Sequence, residues 1–214
     1  MKKWIPAALI LAALAVSVLY YPHLPERIPT HWGLSGEPNG WSSRLLGAWM
    51  IPLLMAIIWV VMRAVPHLDP KHANYANFTS VYEWLIVATL AFMLGAHLLI
   101  LAAARGQVVD IGRFVMAGIG AFFIVIGVIL PKVHPNWFVG IRTPWTMTSD
   151  LSWNSTHRLG GWLFAVIGAV TLVAGFIMPK AALWVLLAGG GAVVVALFAY
   201  SYVVWKGDPA RRDR

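Results

Sequence analysis

Phe114-Val115-Met116-Ala117-Gly118-Ile119-Gly120-Ala121-Phe122-Phe123-Ile124-Val125-Ile126-Gly127-Val128-Ile129-Leu130 runs without one charged, amide or hydroxyl side chain. An unbroken apolar run of this length is close to the roughly 20 residues that cross the hydrocarbon of a bilayer as a helix. Working outward, comparable runs stand at Trp4 to Tyr21, Leu45 to Val65, Trp84 to Ala104, Leu159 to Met178 and Ala181 to Trp205. The whole chain agrees: 60% of its 214 residues are hydrophobic, 11% are charged and mean hydropathy is +0.74. A soluble domain carries about 25% charged residues. Strand-like alternation of apolar and polar residues is missing, and an open sheet in lipid would leave backbone groups unpaired. The expected fold is therefore all-α, a polytopic membrane protein of six transmembrane helices. Gly118, Gly120, Gly127, Gly168, Gly175 and the run Gly189 to Gly191 fall inside these spans, where small residues let helix backbones approach.

Charge orients the bundle. Sixteen Lys and Arg oppose eight Asp and Glu, an excess that in a soluble protein would suggest nucleic acid. Placing the N-terminus inside puts Lys2, Lys3, Arg63, Lys71, Lys132, Arg142, Arg158, Lys206, Arg211, Arg212 and Arg214 on the cytoplasmic side. Arg27, Arg44, Arg105, Arg113 and Lys180 then lie outside, a division of eleven to five. Basic residues concentrate in cytoplasmic loops, so both termini are expected in the cytoplasm and no direct nucleic-acid partner is needed. The tail from Arg211 to Arg214 reads as a topology anchor beside anionic headgroups. The first apolar run follows Lys2 and Lys3 and contains an Ala13-x-Ala15 pattern, as a signal peptide would. It continues unbroken through Val16, Val18, Leu19 and Tyr20, beyond a typical signal core, and is read as a retained helix.

Two connections are long and rich in Pro, Gly, Trp and His: 21–44 and 131–158. The three prolines Pro22, Pro25 and Pro29 fix φ and disfavour helix in the residues before them, which predicts a stiff extended arm. Gly33, Gly36 and Gly40 then supply turns. In the second connection Thr148 or Ser149 can cap a short helix that carries Trp153 and His157 on one face. The order helix, long loop, helix, short link, helix occurs twice, and the two long loops fall on opposite sides. This suggests a 3+3 inverted repeat with units 1–104 and 105–214. Thr30-His31 with Gly40-Trp41 is then matched by Thr156-His157 with Gly161-Trp162. Such a plan resembles that of secondary transporters.

The segment from Asn136 to Gly161 holds Gly-x-Arg-Thr-Pro-Trp-Thr at Gly140 to Thr146, then Ser149, Trp153, Asn154, Thr156-His157 and Gly160. It resembles the SdpI family of bacterial membrane immunity proteins. The Tyr21-Pro22 arm with Ile28-Pro29-Thr30-His31-Trp32-Gly33 looks like the small domain of unknown function that often forms that family's N-terminal half. The resemblance implies a six-helix cell-membrane protein whose namesake protects a cell against its own secreted toxic peptide and holds a transcriptional repressor at the membrane. The implied partners are membrane lipids, a toxic peptide and a cytoplasmic repressor protein.

Candidate ligand-binding residues are Asn136, Gly140, Arg142, Thr143, Pro144, Trp145, Thr146, Ser149, Asp150, Trp153, Thr156 and His157 in the second loop, with Thr30, His31 and Trp32 in the first. Arg142 can pair with Asp150, stack on a Trp face, or clamp a carboxylate or phosphate. His97 lies within a span, where a polar side chain faces the protein interior, either as a structural hydrogen bond or as a proton carrier. His31 and His157 fall on opposite sides and cannot share one ion unless the loops re-enter. No His-x3-His or Glu-x-x-His spacing occurs, so no metal or cofactor is expected. Absence of cysteine removes disulfides and thiolate chemistry. No Gly-x-Ser-x-Gly, phosphate loop or intramembrane carboxylate pair appears, and Glu83 stands alone at a helix start, so an enzyme is not expected. The leading reading is an immunity or signalling protein that binds a peptide through its folded loops; the alternative is an inverted-repeat transporter or flippase. The charge division predicts that a cysteine at Ser35 or Ser42 labels from outside intact cells. One at Thr148 labels only after permeabilisation, and external labelling of Thr148 would reverse the orientation.

Overall fold

The computed structural model describes residues 4–33 and 36–211. Lys2, Lys3, Ser35, Arg212, Asp213 and Arg214, used above for charge and labelling, lie outside them. The helices are α1 (Ile5–Tyr20), α2 (Arg44–Leu68), α3 (Thr79–Ala104), α4 (Ile111–Ile129), α5 (Asp150–Ile177), α6 (Pro179–Trp184) and α7 (Gly190–Lys206). A π-turn at Val185–Gly189 joins α6 to α7 in one continuous span. Six helical stretches among the described residues are long and apolar enough to cross a membrane, as expected for an all-α multi-pass protein.

The first long connection is more ordered than an extended arm. Pro22 sits in a single 3-10 turn, Tyr21–His23, and the chain then forms an antiparallel hairpin of β1 (Arg27–Trp32) and β2 (Pro38–Ser43). Arg27 pairs with Ser43 and Ile28 with Ser42, with bulges around His31. An isolated two-stranded hairpin is marginal in water, and this one is pinned. Ile28 is fully buried with Leu24, Ala48 and Leu101, and Gly47 leaves room for it, since a Cβ there would lie 2.9 Å from Ile28. Ser43 ends the hairpin and caps α2 by accepting from Leu46 N.

The fifth span begins at Asp150, earlier than the apolar run at Leu159 indicated. No separate short helix forms. Ser149 is the cap, accepting from Ser152 N, and its helix runs on as α5, whose polar first turns are paid no heed by hydropathy because their partners are internal. Thr30-His31 therefore lies on a strand and Thr156-His157 on a helix; the sequence-matched pairs occupy unlike structures.

Helices α4 and α5 form the tightest interface. A Cβ on Gly120 would lie 2.4 Å from Leu172 N, one on Gly127 2.6 Å from Ala165 N, and one on Gly168 2.7 Å from Gly120 O. Backbone thus meets backbone, the packing that small residues permit in lipid. A second core joins both halves at the opposite end from the hairpin, with Tyr75, Phe78, Tyr82 and Ile86 against Ile129, Val133 and Trp153. Gly120→Leu should destabilise the protein by about 3 kcal/mol, the upper range for overpacking. Gly191→Leu, whose Cβ would meet nothing, should leave melting in detergent nearly unchanged. Equal melting temperatures would refute this account of the interface.

Candidate functional site

At the end of the bundle away from the hairpin, the link 69–78 and the motif loop 133–149 lock together around two buried polar side chains. Asn136 is wholly buried. Its Nδ2 donates to His134 O and Val139 O at 2.9 Å each, while its Oδ1 accepts from Phe138 N at 2.8 Å and Val139 N at 2.6 Å. One side chain thereby satisfies four backbone groups of a loop that has no secondary structure to satisfy them. Asp69, 2% exposed, accepts from Tyr75 OH at 3.0 Å, Trp137 N at 2.9 Å and Lys71 N at 2.7 Å. Asn74 Nδ2 donates to Pro135 O at 2.6 Å. The two halves of the chain are thus joined by a polar clasp. Burial, and then the Asp69 carboxylate, push the Tyr75 hydroxyl well above its ordinary range, so it stays protonated and donates.

The Gly140 to Thr146 motif follows from what it touches. Gly140 has φ +113°, and a Cβ there would lie 2.3 Å from His157 Nε2. Both facts demand glycine. His157 Nε2 accepts from Ile141 N at 3.0 Å and Nδ1 lies 2.8 Å from Trp153 O. Since a carbonyl only accepts, the ring is neutral with its proton on Nδ1. The imidazole stacks on Trp153 at 4.1 Å, and Trp153 Nε1 donates to Val133 O. Thr143 and Thr146 bond each other, and Thr146 Oγ1 also donates to Ile141 O. Thr143 Oγ1 reaches Ser201 on α7 at 3.0 Å. Trp145 packs edge-on against Phe198 and beside Tyr202. Ser149 Oγ donates to Asp208 at 2.5 Å, and that bond, with one from Ala210 N, holds the Asp208 carboxyl below its usual range.

The candidate residues therefore divide. Asn136, Thr143, Thr146, Ser149, Trp153, Thr156 and His157 are buried and engaged within the fold, apart from the Thr156 hydroxyl, which bonds nothing. Arg142, Pro144 and Asp150 are exposed, beside exposed Trp137 and Phe138. Arg142 does not pair with Asp150: its guanidinium donates to Trp137 O at 2.5 Å. Glu83 is not alone either, forming an ion pair at 2.5 Å with Arg63 across α2 and α3. His97, fully buried, has Nε2 2.9 Å from Ser17 Oγ, which itself donates to Ala48 O. Ser17 has one proton, so His97 must be the donor to it; the ring ties α3 to α1 and α2. Among the described residues, no group of three His, Asp or Glu side chains is arranged to hold a metal ion.

Thr30, His31 and Trp32 stand at the other end. They border an open cavity of about 890 Å³ lined also by Ala96 and Ile100 of α3, Asp110 at the N-cap of α4, Val115 of α4, and Lys180 and Trp184 of α6. Sequence reading missed the helix side of this site, because Ala96, Val115 and Trp184 look like any lipid-facing residues until the hairpin is folded over them.

Residues 132–201 match the SdpI/YfhL protein family, and residues 8–56 match a domain of unknown function, DUF1648. The chain joins an SdpI-family region to a DUF1648 region. It is 27% identical over 177 residues to the immunity protein SdpI of Bacillus subtilis (strain 168), covering 82% of this chain and 83% of that protein. A shorter match, 33% identical over 48 residues, is to the uncharacterized membrane protein YbgB of the same organism, covering 22% of this chain and 53% of YbgB. No solved structure matches. The SdpI/YfhL region contains every element of the clasp's second half, from Val133 to Ser201, and the DUF1648 region contains the hairpin. SdpI/YfhL is not an enzyme family, and the protein is a multi-pass membrane protein.

Replacing Asn136 with Leu strands the N–H groups of Phe138 and Val139, each costing about 1–3 kcal/mol. Asn136→Asp keeps the acceptor and should melt between wild type and Asn136→Leu in detergent. If all three melt together, the amide does not organise the loop.

Proposed function

We propose that the protein is a membrane immunity protein that intercepts a membrane-active toxic peptide at the hairpin end of the bundle. The match to the Bacillus immunity protein over four-fifths of both chains supports immunity. The observation that carries the location is the cavity under Thr30, His31 and Trp32, which is open, part apolar and flanked by Lys180 and Asp110. On the orientation expected from the Lys/Arg division, this end faces outward, where a secreted peptide arrives. An amphipathic peptide gains affinity there from aromatic and apolar contact, with charge setting its register. Most of the motif loop, by contrast, is spent on its own hydrogen bonds. Its exposed members Arg142, Pro144 and Asp150, with Trp137 and Phe138, form the inner surface on which a cytoplasmic repressor would dock. The clasp of Asp69, Tyr75 and Asn136 connects that surface to the helices that support the hairpin. The transporter alternative drew on the repeated order of helices and long loops; the Thr-His pairs that accompanied it lie in unlike structures, and it is not carried further.

Cells expressing the protein should survive a membrane-active peptide that kills empty-vector controls. His31→Ala and Trp32→Ala should cut survival at least tenfold at unchanged membrane abundance, since hot-spot aromatic truncation costs about 2 kcal/mol or more. Arg142→Ala should spare survival while weakening recruitment of the inner partner. Survival no better than the control for every peptide tried would sink the immunity reading.

A further inference from the structure

Outside the hairpin cavity, a second cavity of about 680 Å³ continues from it between α3 and α4, the two sharing Ala96, Leu99 and Val115. It extends along α3 from Ala102 to Ala88, about 21 Å at the rise of a helix, and ends near the stacked Phe92–Phe122 pair. The groove is not a flaw in otherwise loose packing. A Cβ on Gly95 would meet nothing within 4 Å, whereas α4 on its other face is pressed backbone to backbone against α5. Its lining is apolar and it faces the depth of the hydrocarbon, where water gains no hydrogen bonds. The groove runs into the hairpin cavity, which is lined by Lys180, the second residue of the last span, exposed and with no ion pair among the described residues. Asp110, its acidic neighbour there, is engaged by Arg113. Trp32 and Trp184 line the same cavity, at the level where aromatic side chains sit in a headgroup belt.

We propose that this groove is a phospholipid-binding site: one acyl chain lies between α3 and α4, and the anionic headgroup is held at Lys180. Every residue that lines the groove is alanine, glycine, leucine, valine or phenylalanine, a surface that an acyl chain covers without leaving a polar group unpaired. Charge decides the headgroup, because a lone cation at the interface favours an anionic lipid over a zwitterionic one by about fivefold. This assignment does not rest on the immunity reading, although a headgroup at Lys180 would share the hairpin cavity with any peptide bound there.

The test uses the full chain in nanodiscs containing phosphatidylglycerol or phosphatidylcholine with a photoactivatable diazirine on one acyl chain. Labelling by phosphatidylglycerol should concentrate on 88–102 and 114–125. Gly95→Phe fills the groove and replaces glycine with a better helix former; it should cut labelling of those segments severalfold while the outer faces of α1 and α7 label as before. Lys180→Gln should remove the roughly fivefold preference for phosphatidylglycerol and leave melting unchanged. Uniform labelling of all lipid-facing surfaces, unaffected by Gly95→Phe, would mean ordinary annular lipid and overturn the proposal. So would cross-links from a benzoylphenylalanine at Leu99 to a second copy or to an added helical peptide in place of lipid.

Discussion

The carboxamide of Asn136 is the interaction on which the architecture turns. A loop at the end of a membrane bundle has backbone groups that neither helix nor sheet satisfies, and burying them unpaired costs several kcal/mol. Asn136 meets two donors and two acceptors at once, which lets Trp137 N point outward to Asp69 on the other half of the chain. From that junction the remaining geometry follows. Gly140 can approach His157, His157 can accept from Ile141, and the threonines can turn toward α7.

The two halves meet differently at their two ends. At the clasp end they share a buried core and hydrogen bonds across Asp69, Tyr75 and Asn136. Toward the hairpin end α3 and α4 part to leave the groove. Glycine serves opposite purposes in the two places. Between α4 and α5 it removes the Cβ that would hold backbones apart, while at Gly95 it leaves space that no protein atom fills.

The buried polar groups of the first half reinforce this asymmetry. Ser17, His97 and the Ala48 carbonyl bind α1, α2 and α3 into one unit beneath the hairpin, and Arg63 with Glu83 joins α2 to α3 nearer the clasp. Each ties helices that hydrophobicity alone would leave free to slide, since lipid is as apolar as the side chains between them. The hairpin consequently rests on a stiff three-helix platform.

The amino-acid sequence alone determined the six spans, their all-α character and the resemblance to the SdpI family, because hydrocarbon thickness sets an apolar length and the Gly140 to Thr146 motif is local in the chain. Tyr21 to Ser43 was legible as non-helical from its prolines, yet not as a hairpin, since its strands are held by Ile28 against Ala48 and Leu101, residues distant in sequence. The Ser149 cap and a helix carrying Trp153 and His157 were legible, but not that this helix runs on as the fifth span, because its polar residues are satisfied by Val133, Ile141 and Ser201 from other segments. Arg142 and Asp150 looked like a pair by proximity, but the fold gives Arg142 the Trp137 carbonyl instead. Apolar length and backbone chemistry are properties of a segment and can be read along it. Which polar groups are buried, and which cleft stays open, depends on partners from other segments, and only the tertiary structure supplies those.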